Sequence, residues 1–257
     1  FHLGLSASGF HRLAYREWGL IDAPRVLVCV HGLTRNGRDF EEVAAAASAA
    51  GWRVICPDVV GRGESDALAD PAGYSFPQYL QDMNALIARL DVEQVDWLGT
   101  SMGGLIGMLM AAQPKSPLRR LVLNDIGPFL PRPAIADIAS QVAAERFWHA
   151  FASASQELRQ AYEGFGPLDD EQWQRLIERS LTQTADGRWR RNYDPALGNA
   201  FATSVGGDVD LWSFWEAVRQ PVLVLRGEHS QLLTPATAAE MKQRGPCAEV
   251  VEIAGSG

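Results

Sequence analysis

Short runs of consecutive hydrophobic residues recur along the chain and alternate with amphipathic segments. Six runs have the length and continuous apolar character of strands buried on both faces of a sheet. They are residues 25–30, 52–56, 94–98, 120–124, 221–225 and 248–253. Helical composition or helical spacing of apolar residues marks three further segments: 38–50, 75–90 and 102–113. This alternation predicts an α/β fold with a mostly parallel central sheet and helices on both faces.

Two local patterns refine this outline. Residues 75–78 read Ser-Phe-Pro-Gln, which predicts a helix that begins with a capping box and a proline in its first turn. Residues 1–19 alternate between apolar and polar positions around Ser8-Gly9. They predict an antiparallel hairpin on the edge of the sheet.

The strand pattern stops after Gly127 and resumes at Pro221. Residues 128–215 are helical in pattern, which predicts a helical cap inserted into a core made of 1–127 and 216–257. Such a cap would cover the carboxyl ends of the strands, where open α/β sheets bind ligands. Five of the eight tryptophans lie in this segment: Trp148, Trp173, Trp189, Trp212 and Trp215. We expect most aromatic residues of this segment to pack the cap helices and the rest to line an apolar pocket.

Composition narrows the range of partners. Hydrophobic residues make up 47% of the chain, enough for a sizeable core, and the net charge is −8. An acidic surface repels nucleic acid and anionic membranes, so neither is an expected partner, and the oligomeric state stays undefined. No apolar run reaches the roughly 20 residues of a membrane-spanning helix, and the start of the sequence lacks signal-peptide features. Three scattered cysteines form no disulfide framework or metal motif, so we expect a cytoplasmic protein.

Residues 99–103 match the nucleophile pattern G-x-S-x-G, with Ser101 at its centre. The motif follows a predicted strand and precedes a predicted helix, which is the strand-turn-helix setting that a nucleophilic serine requires. The position at a helix N-terminus also favours developing negative charge. Ser101 is therefore the predicted nucleophile.

A second motif, His31-Gly-Leu-Thr34, follows the first buried strand. In a strand-turn-helix serine site, this loop supplies one oxyanion donor and the residue after the nucleophile supplies the other. These donors are assigned to the backbone N–H groups of Leu33 and Met102. Gly32 lets the loop turn closely, and His31 is predicted to structure it. A role for His31 as catalytic base is the alternative.

A third motif, D-x-x-G-x-G-x-S, occupies residues 58–65. Together with His-Gly at 31–32 and G-x-S-x-G at 99–103, in this order, it resembles the α/β-hydrolase fold superfamily, in particular its capped bacterial esterase-like members. The resemblance covers nearly the whole chain. It implies a serine hydrolase that cleaves small carboxylic esters through an acyl-enzyme intermediate. The alternatives are a non-catalytic ligand-binding protein on the same scaffold, or a lactonase, thioesterase or C–C bond hydrolase. Gly61-Arg-Gly63 lacks a dinucleotide-binding context, and no cofactor or metal is expected.

The resemblance also implies a catalytic histidine after the last strand and a closing helix beyond it. Here the last predicted strand is followed by Ala254-Gly-Ser-Gly257, so the histidine is expected just after Gly257. Two interpretations stay open, because the base either lies outside this sequence or is truly absent. The remaining histidines are poorly placed substitutes: His2, His11, His149 and His229.

The acid that would orient such a histidine also departs from the pattern that the resemblance implies. The resemblance places it after the strand at 221–225, near Ser230 or Gln231, and neither residue is a carboxylate. Gln231 could hydrogen-bond an imidazole but could not stabilise an imidazolium by charge. Asp125, at the end of the strand 120–124, and Glu228 are the two candidates. A loop-fixing role for Asp125 is the alternative.

Overall fold

A computed structural model describes residues 1–143, 146–198 and 207–257. Its strands, in chain order, are β1 His2–Ser6, β2 Gly9–Leu13, β3 Tyr15–Trp18, β4 Val26–Val30, β5 Arg53–Pro57, β6 Val95–Thr100, β7 Leu118–Asn124, β8 Phe129–Leu130, β9 Phe147–Trp148, β10 Leu181–Gln183, β11 Trp189–Arg191, β12 Val209–Asp210, β13 Val222–Gly227 and β14 Glu249–Ile253. The helices are α1 Glu41–Ala49, α2 Phe76–Arg89, α3 Met102–Ala111, α4 Arg132–Ala143, α5 Phe151–Ala161, α6 Asp170–Ser180, α7 Trp212–Ala217 and α8 Pro235–Met241. Within these described ranges no helix has both the length and the apolar character to cross a membrane.

Seven strands form the central sheet in the order β14-β13-β7-β6-β4-β5-β3. All neighbours pair in parallel except β3, which runs antiparallel to β5 at one edge. Each of the six hydrophobic runs forms one of the parallel strands, which confirms the predicted fold class. The carboxyl ends of the parallel strands therefore lie at the same end of the sheet. The three motif loops begin there, after β4, β5 and β6, and Asp125 follows β7 at the same end.

Alternate residues of the central strands pack into two different hydrophobic clusters. Val28 and Val30 of β4 belong to the larger cluster, whereas Cys29 joins a smaller one that includes Ala44 of α1. Because successive side chains of a strand point to opposite faces, the sheet is covered on both sides. This arrangement explains why the central strands are continuously apolar in sequence.

The N-terminal hairpin forms, but its predicted location on the sheet edge is wrong. β1 and β2 make a separate two-stranded sheet, and β3 takes the edge position. Buried polar contacts hold the hairpin against α2, because His11 Nε2 lies 3.1 Å from Asp82 Oδ1 and Gln78 Nε2 donates to Leu5 O at 3.0 Å. The predicted capping box is also wrong, since Ser75 makes no side-chain cap and the Gln78 amide contacts the hairpin instead.

The segment between Gly127 and β13 contains α4 to α7, together with short strands that the sequence pattern did not predict. β10, β11 and β9 form a small antiparallel sheet, and β12 pairs with β8. Polar contacts join α6 to the core. Asn36 Nδ2 donates to Arg179 O at 2.7 Å, and the Arg179 guanidinium lies 2.7 Å from Glu41 and 3.0 Å from Glu42. These contacts fix α6 above the loop that follows β4.

Candidate active site

Ser101 lies in the sharp turn between β6 and α3. Its backbone has φ 50° and ψ −115°, a conformation that costs free energy in a residue with a side chain. The turn is held in place by hydrogen bonds at both ends. Ser101 N–H donates to Asn124 O at 2.9 Å, and Gly104 N–H donates to Ser101 O at 2.9 Å. Strain of this kind, fixed by the surrounding structure, is typical of functional positions.

The glycines of the motif allow this turn to pack against its neighbours. A side chain at Gly99 would overlap the backbone of Gly103. A side chain at Gly103 would overlap the carbonyl oxygen of Val30, at the end of β4. This sharp turn at Ser101, here called the elbow, is thus packed directly on the loop that carries the second motif.

The two predicted oxyanion donors, Leu33 and Met102, are brought together by a buried arginine. Arg62 Nε donates to Leu33 O at 2.9 Å, and Arg62 Nη2 lies 3.4 Å from Met102 Sδ. Neither the Leu33 N–H nor the Met102 N–H donates a hydrogen bond to any atom of the described ranges. Both groups are therefore available to an oxygen bound beside Ser101.

His31 is completely buried within the loop after β4. Its Nδ1 lies 2.7 Å from Gly32 O, and its Nε2 accepts a hydrogen bond from Val59 N–H at 2.9 Å. Burial lowers the pKa of His31 to about 4, so the ring is neutral near pH 7. Since both nitrogens are engaged by backbone groups, one in the loop after β4 and one in the loop after β5, neither is free to accept a proton from Ser101.

Acidic pH should destabilise the protein through His31. In an unfolded chain the pKa is about 6.5, so the unfolded state takes up a proton before the folded state does. The stability that neutral His31 contributes is therefore complete above about pH 6.5 and is lost as the pH falls towards 4. The difference corresponds to roughly 3 kcal/mol in the free energy of unfolding. Urea unfolding at several pH values should show a shallower pH dependence for His31→Gln than for wild type.

His229→Gln is the matched control for this measurement. The His229 side chain is 68% exposed, so its replacement should leave the pH dependence of unfolding unchanged. Identical pH profiles for wild type and His31→Gln would contradict the assignment of a buried neutral imidazole.

The third motif braces the same loops. Asp58 accepts hydrogen bonds from Gly37 N–H at 2.7 Å and from Glu64 N–H at 2.9 Å. Ser65 Oγ donates to Asp58 O at 2.6 Å. Gly63 has φ 58°, and a side chain there would overlap the Asp58 carboxylate. The motif therefore holds the loops after β4 and β5 together without entering the space around Ser101.

Two cavities meet at Ser101, and both are also lined by Leu33, Ile138 and Leu232. The first, here called the apolar cavity, has a volume of about 370 Å³. Its lining includes Phe76, Leu105, Ile126, Leu130, Ile135 and Val209. The second, here called the polar cavity, has a volume of about 450 Å³. Its lining includes Thr34, Arg35, Asp125, Gln141, Arg191 and Gly257.

Asp125 shares the polar cavity with Ser101. Its backbone has φ 53°, and its carboxylate accepts hydrogen bonds from Gly227 N–H at 3.0 Å and from Ser230 Oγ at 2.7 Å. Burial raises the pKa of Asp125, while these two hydrogen bonds act in the opposite direction. The carboxylate is thus held in a fixed orientation at the end of β7.

The other acid candidate lies elsewhere. Glu228 is partly exposed and accepts a hydrogen bond from Gly255 N–H at 2.8 Å. Gln231, at the position where the resemblance places an acid, is exposed and its Nε2 donates to His229 O at 3.2 Å. Neither residue lines the apolar or the polar cavity. Of the two carboxylates, the structure brings only Asp125 into a cavity with Ser101.

The histidines of the described ranges do not line these cavities. His2 and His11 lie in the hairpin against α2, while His149 and His229 are exposed. By contrast, Ser256 and Gly257 line the polar cavity. The segment after β14 is anchored there, since His229 N–H donates to Ser256 O and Gly257 N–H donates to Gly164 O, both at 2.8 Å.

Among the described residues, the segment 128–215 contributes no aromatic side chain to the apolar cavity, contrary to the expectation. None of the five tryptophans of residues 128–215 lines either cavity; Trp148, Trp173 and Trp189 pack in a separate cluster of that segment. The apolar cavity is instead lined by Tyr74, Phe76 and Tyr79, whereas Tyr162 and Phe165 of the segment 128–215 line the polar cavity. The helical spacing of Phe76 and Tyr79 could have indicated that both side chains face the same cavity. Within the described ranges, no group of three or more His, Cys, Asp or Glu side chains is placed to hold a metal ion.

Comparison with known proteins agrees with this geometry. The family described as the alpha/beta hydrolase fold matches residues 25–257. A 3-hydroxybutyrate-oligomer hydrolase of Cupriavidus necator is 48% identical, covering 97% of this chain and 87% of that protein. A solved α/β hydrolase from Novosphingobium aromaticivorans has 38% identity and a TM-score of 0.88, covering 99% of this chain and 90% of its own. A putative hydrolase from Rickettsia typhi has 33% identity and a TM-score of 0.91, covering 97% of this chain and 85% of its own. These similarities confirm the predicted enzyme class, a hydrolase, and the chain belongs to the α/β-hydrolase fold family.

Proposed function

We propose that this chain is a serine hydrolase of carboxylic esters that works through an acyl-enzyme intermediate. The observation that carries the proposal is the position of Ser101. It lies in a strained elbow, beside two backbone N–H groups without acceptors among the described residues, where an apolar and a polar cavity meet. This arrangement has a nucleophile, oxyanion donors and room for both halves of an ester.

The proposed reaction begins when Ser101 Oγ attacks the ester carbonyl carbon and transfers its proton to a base. The carbonyl oxygen becomes an oxyanion that accepts hydrogen bonds from Leu33 N–H and Met102 N–H. Collapse of this intermediate breaks the carbon–oxygen bond, and the base returns the proton to the departing alcohol. Water then attacks the acyl-enzyme by the same route and regenerates Ser101.

In this proposal the base is a histidine that directly follows Gly257, and Asp125 orients it. Support comes from the polar cavity, because Ser101, Asp125 and Gly257 all line it. An ionised carboxylate there would stabilise the imidazolium that forms during the attack. The identity of the residue after Gly257 in the full-length protein tests this directly. A histidine supports the assignment, and any other residue contradicts it.

We further propose short linear esters of 3-hydroxy acids as the substrate class. The relative from Cupriavidus necator is named for oligomers of 3-hydroxybutyrate and shares 48% identity with 97% of this chain. The two cavities suit such a molecule, since one side of the ester enters an apolar space and the other a space with charged and amide groups. Residues 128–215 act as a cap in this proposal, because Ile138 of that segment lines both cavities and Arg191 lines the polar one.

Turnover of a linear 3-hydroxybutyrate dimer by the full-length protein is the test of this function. We expect release of 3-hydroxybutyrate, with slower hydrolysis of a five-membered lactone and of a butyryl thioester of similar size. A protein that cleaves only the lactone or only the thioester would contradict the linear-ester assignment. A protein that binds the dimer without cleaving it would instead support a non-catalytic binding role.

A further inference from the structure

Arg35 and Arg191 both line the polar cavity, and they differ in their ion pairing among the described residues. Arg35 is 6% exposed and forms a bidentate ion pair with Asp39, with nitrogen–oxygen distances of 2.6 and 2.8 Å. Its guanidinium also donates to Ser180 Oγ. The charge of Arg35 is therefore neutralised within the protein, and Arg35 serves to join the loop after β4 to α6.

Arg191, the last residue of β11, has no such partner among the residues that the structure describes. Its Nη1 donates to Gln141 O at 3.2 Å and lies 3.4 Å from Tyr193 Oη, both of which are neutral. Its Nε is buried and makes no hydrogen bond with any of the residues described. Over the same ranges, no Asp or Glu side chain forms an ion pair with Arg191. A cation thus lines the polar cavity, and its Nε donates to none of the described residues.

Such a group is poised to bind an anion. Burying a charged donor without a partner is unfavourable, and an entering carboxylate would relieve that cost. The guanidinium is planar and can donate two parallel hydrogen bonds to one carboxylate, which makes arginine well suited to this recognition. The net charge of the chain is −8, so attraction of an anionic substrate needs a local cation of this kind.

We propose that Arg191 binds the free terminal carboxylate of the substrate, on the leaving-alcohol side of the scissile ester. This inference rests on the proposed ester hydrolysis. The apolar cavity suits the acyl group, whereas Asp125 and Gly257 place proton transfer to the leaving oxygen in the polar cavity. In a linear hydroxy-acid ester, the leaving unit is the one that carries the free carboxylate. The ester carbon–oxygen bond breaks and the leaving oxygen gains a proton, while the carboxylate held by Arg191 is unchanged.

The inference predicts which end of an oligomer is cleaved. If Arg191 holds the terminal carboxylate, the enzyme removes one hydroxy-acid unit at a time from the carboxyl end. A free acid should then be preferred over its methyl ester, which has the same length and shape but no charge.

Binding measurements on the full-length Ser101→Ala protein test this without dependence on turnover. Calorimetry would compare the 3-hydroxybutyrate dimer with its methyl ester, and the dimer should bind about tenfold more tightly or better, as expected for hydrogen bonds to a charged group. Arg191→Gln should remove most of this preference by lowering the affinity for the free-acid dimer. Its affinity for the methyl ester should stay within about twofold of the parent's. Arg191→Lys, which keeps the charge but not the planar pair of donors, should retain part of the preference.

Arg190→Gln is the matched control. It removes the same charge from the neighbouring residue, whose guanidinium donates to Tyr193 O at 2.7 Å and which does not line the polar cavity. This variant should bind both ligands as the parent does. Equal affinities of the parent for the acid and the methyl ester would overturn the inference. Equal losses for both ligands in Arg191→Gln would also overturn it. If the wild-type protein shows no Ser101-dependent turnover of the dimer, the proposed hydrolysis is contradicted. The binding result for Arg191 is unaffected by that outcome.

Discussion

Replacing Ser101 with alanine should abolish ester hydrolysis while leaving the fold intact. The hydroxyl supplies the nucleophile of the proposed reaction, and removal of such a group lowers kcat by about 10⁴-fold or more in serine hydrolases. Alanine retains the Cβ, so the backbone of the elbow at φ 50° should keep its conformation. The Ser101 hydroxyl makes no hydrogen bond within the described residues, so little stability depends on it. The measurements are kcat/KM for the 3-hydroxybutyrate dimer and the midpoint of thermal unfolding.

Ser48→Ala is a suitable control for this change. Ser48 is in α1, and its hydroxyl donates only to Ala45 O, at 3.0 Å, near the helix end. The control should retain wild-type activity within about twofold, because Ser48 lines neither cavity. Turnover by Ser101→Ala at more than a tenth of the wild-type rate would contradict the role of Ser101 as nucleophile.

Replacing Asp125 with asparagine should reduce kcat by about 10²- to 10⁴-fold with little change in KM. The amide nearly preserves the shape of the carboxylate but removes the negative charge that stabilises an imidazolium. The fold should tolerate the change. Burial raises the pKa of Asp125, so its ionised form is less favourable in the folded than in the unfolded protein. Asparagine removes this cost while weakening the hydrogen bond from Ser230. We expect the free energy of unfolding to change by less than about 1 kcal/mol.

Glu228→Gln is the matched comparison for Asp125→Asn. It makes the same chemical change at the other candidate acid, which is 47% exposed and outside both cavities. Activity should stay within about twofold of wild type. The reverse result would assign the acid to Glu228, and small effects in both variants would leave Asp125 as a residue that fixes its loop through Gly227 and Ser230.

The fold class and the elbow were predictable because both depend on local signals. A strand covered on both faces must be continuously apolar, and every such run became a parallel strand of the central sheet. The elbow was recognisable because only glycine fits at Gly99 and Gly103, where a side chain would overlap neighbouring backbone. These requirements act within a few residues of the motif and are visible in a single sequence.

Features that depend on distant contacts were not predictable in the same way. The pattern of residues 1–19 showed a hairpin, but its position depends on Asp82, which binds His11 from another element. Gln78 looked like a helix cap, yet its amide contacts Leu5 O. Arg191 resembles any charged residue in the sequence, and only the folded chain shows that it faces the space beside Ser101 without a carboxylate partner among the described residues. The choice between Asp125 and Glu228 likewise required the cavity.

Covalent labelling of the full-length protein with a fluorophosphonate, followed by peptide mass spectrometry, tests whether Ser101 is an activated nucleophile. Only an activated serine reacts rapidly with this reagent. The proposed function predicts a single adduct on Ser101, protection by the 3-hydroxybutyrate dimer, and slower labelling in Asp125→Asn. Hydrolysis of the dimer by a protein whose Ser101 stays unlabelled, or whose label lies on another residue, would contradict it.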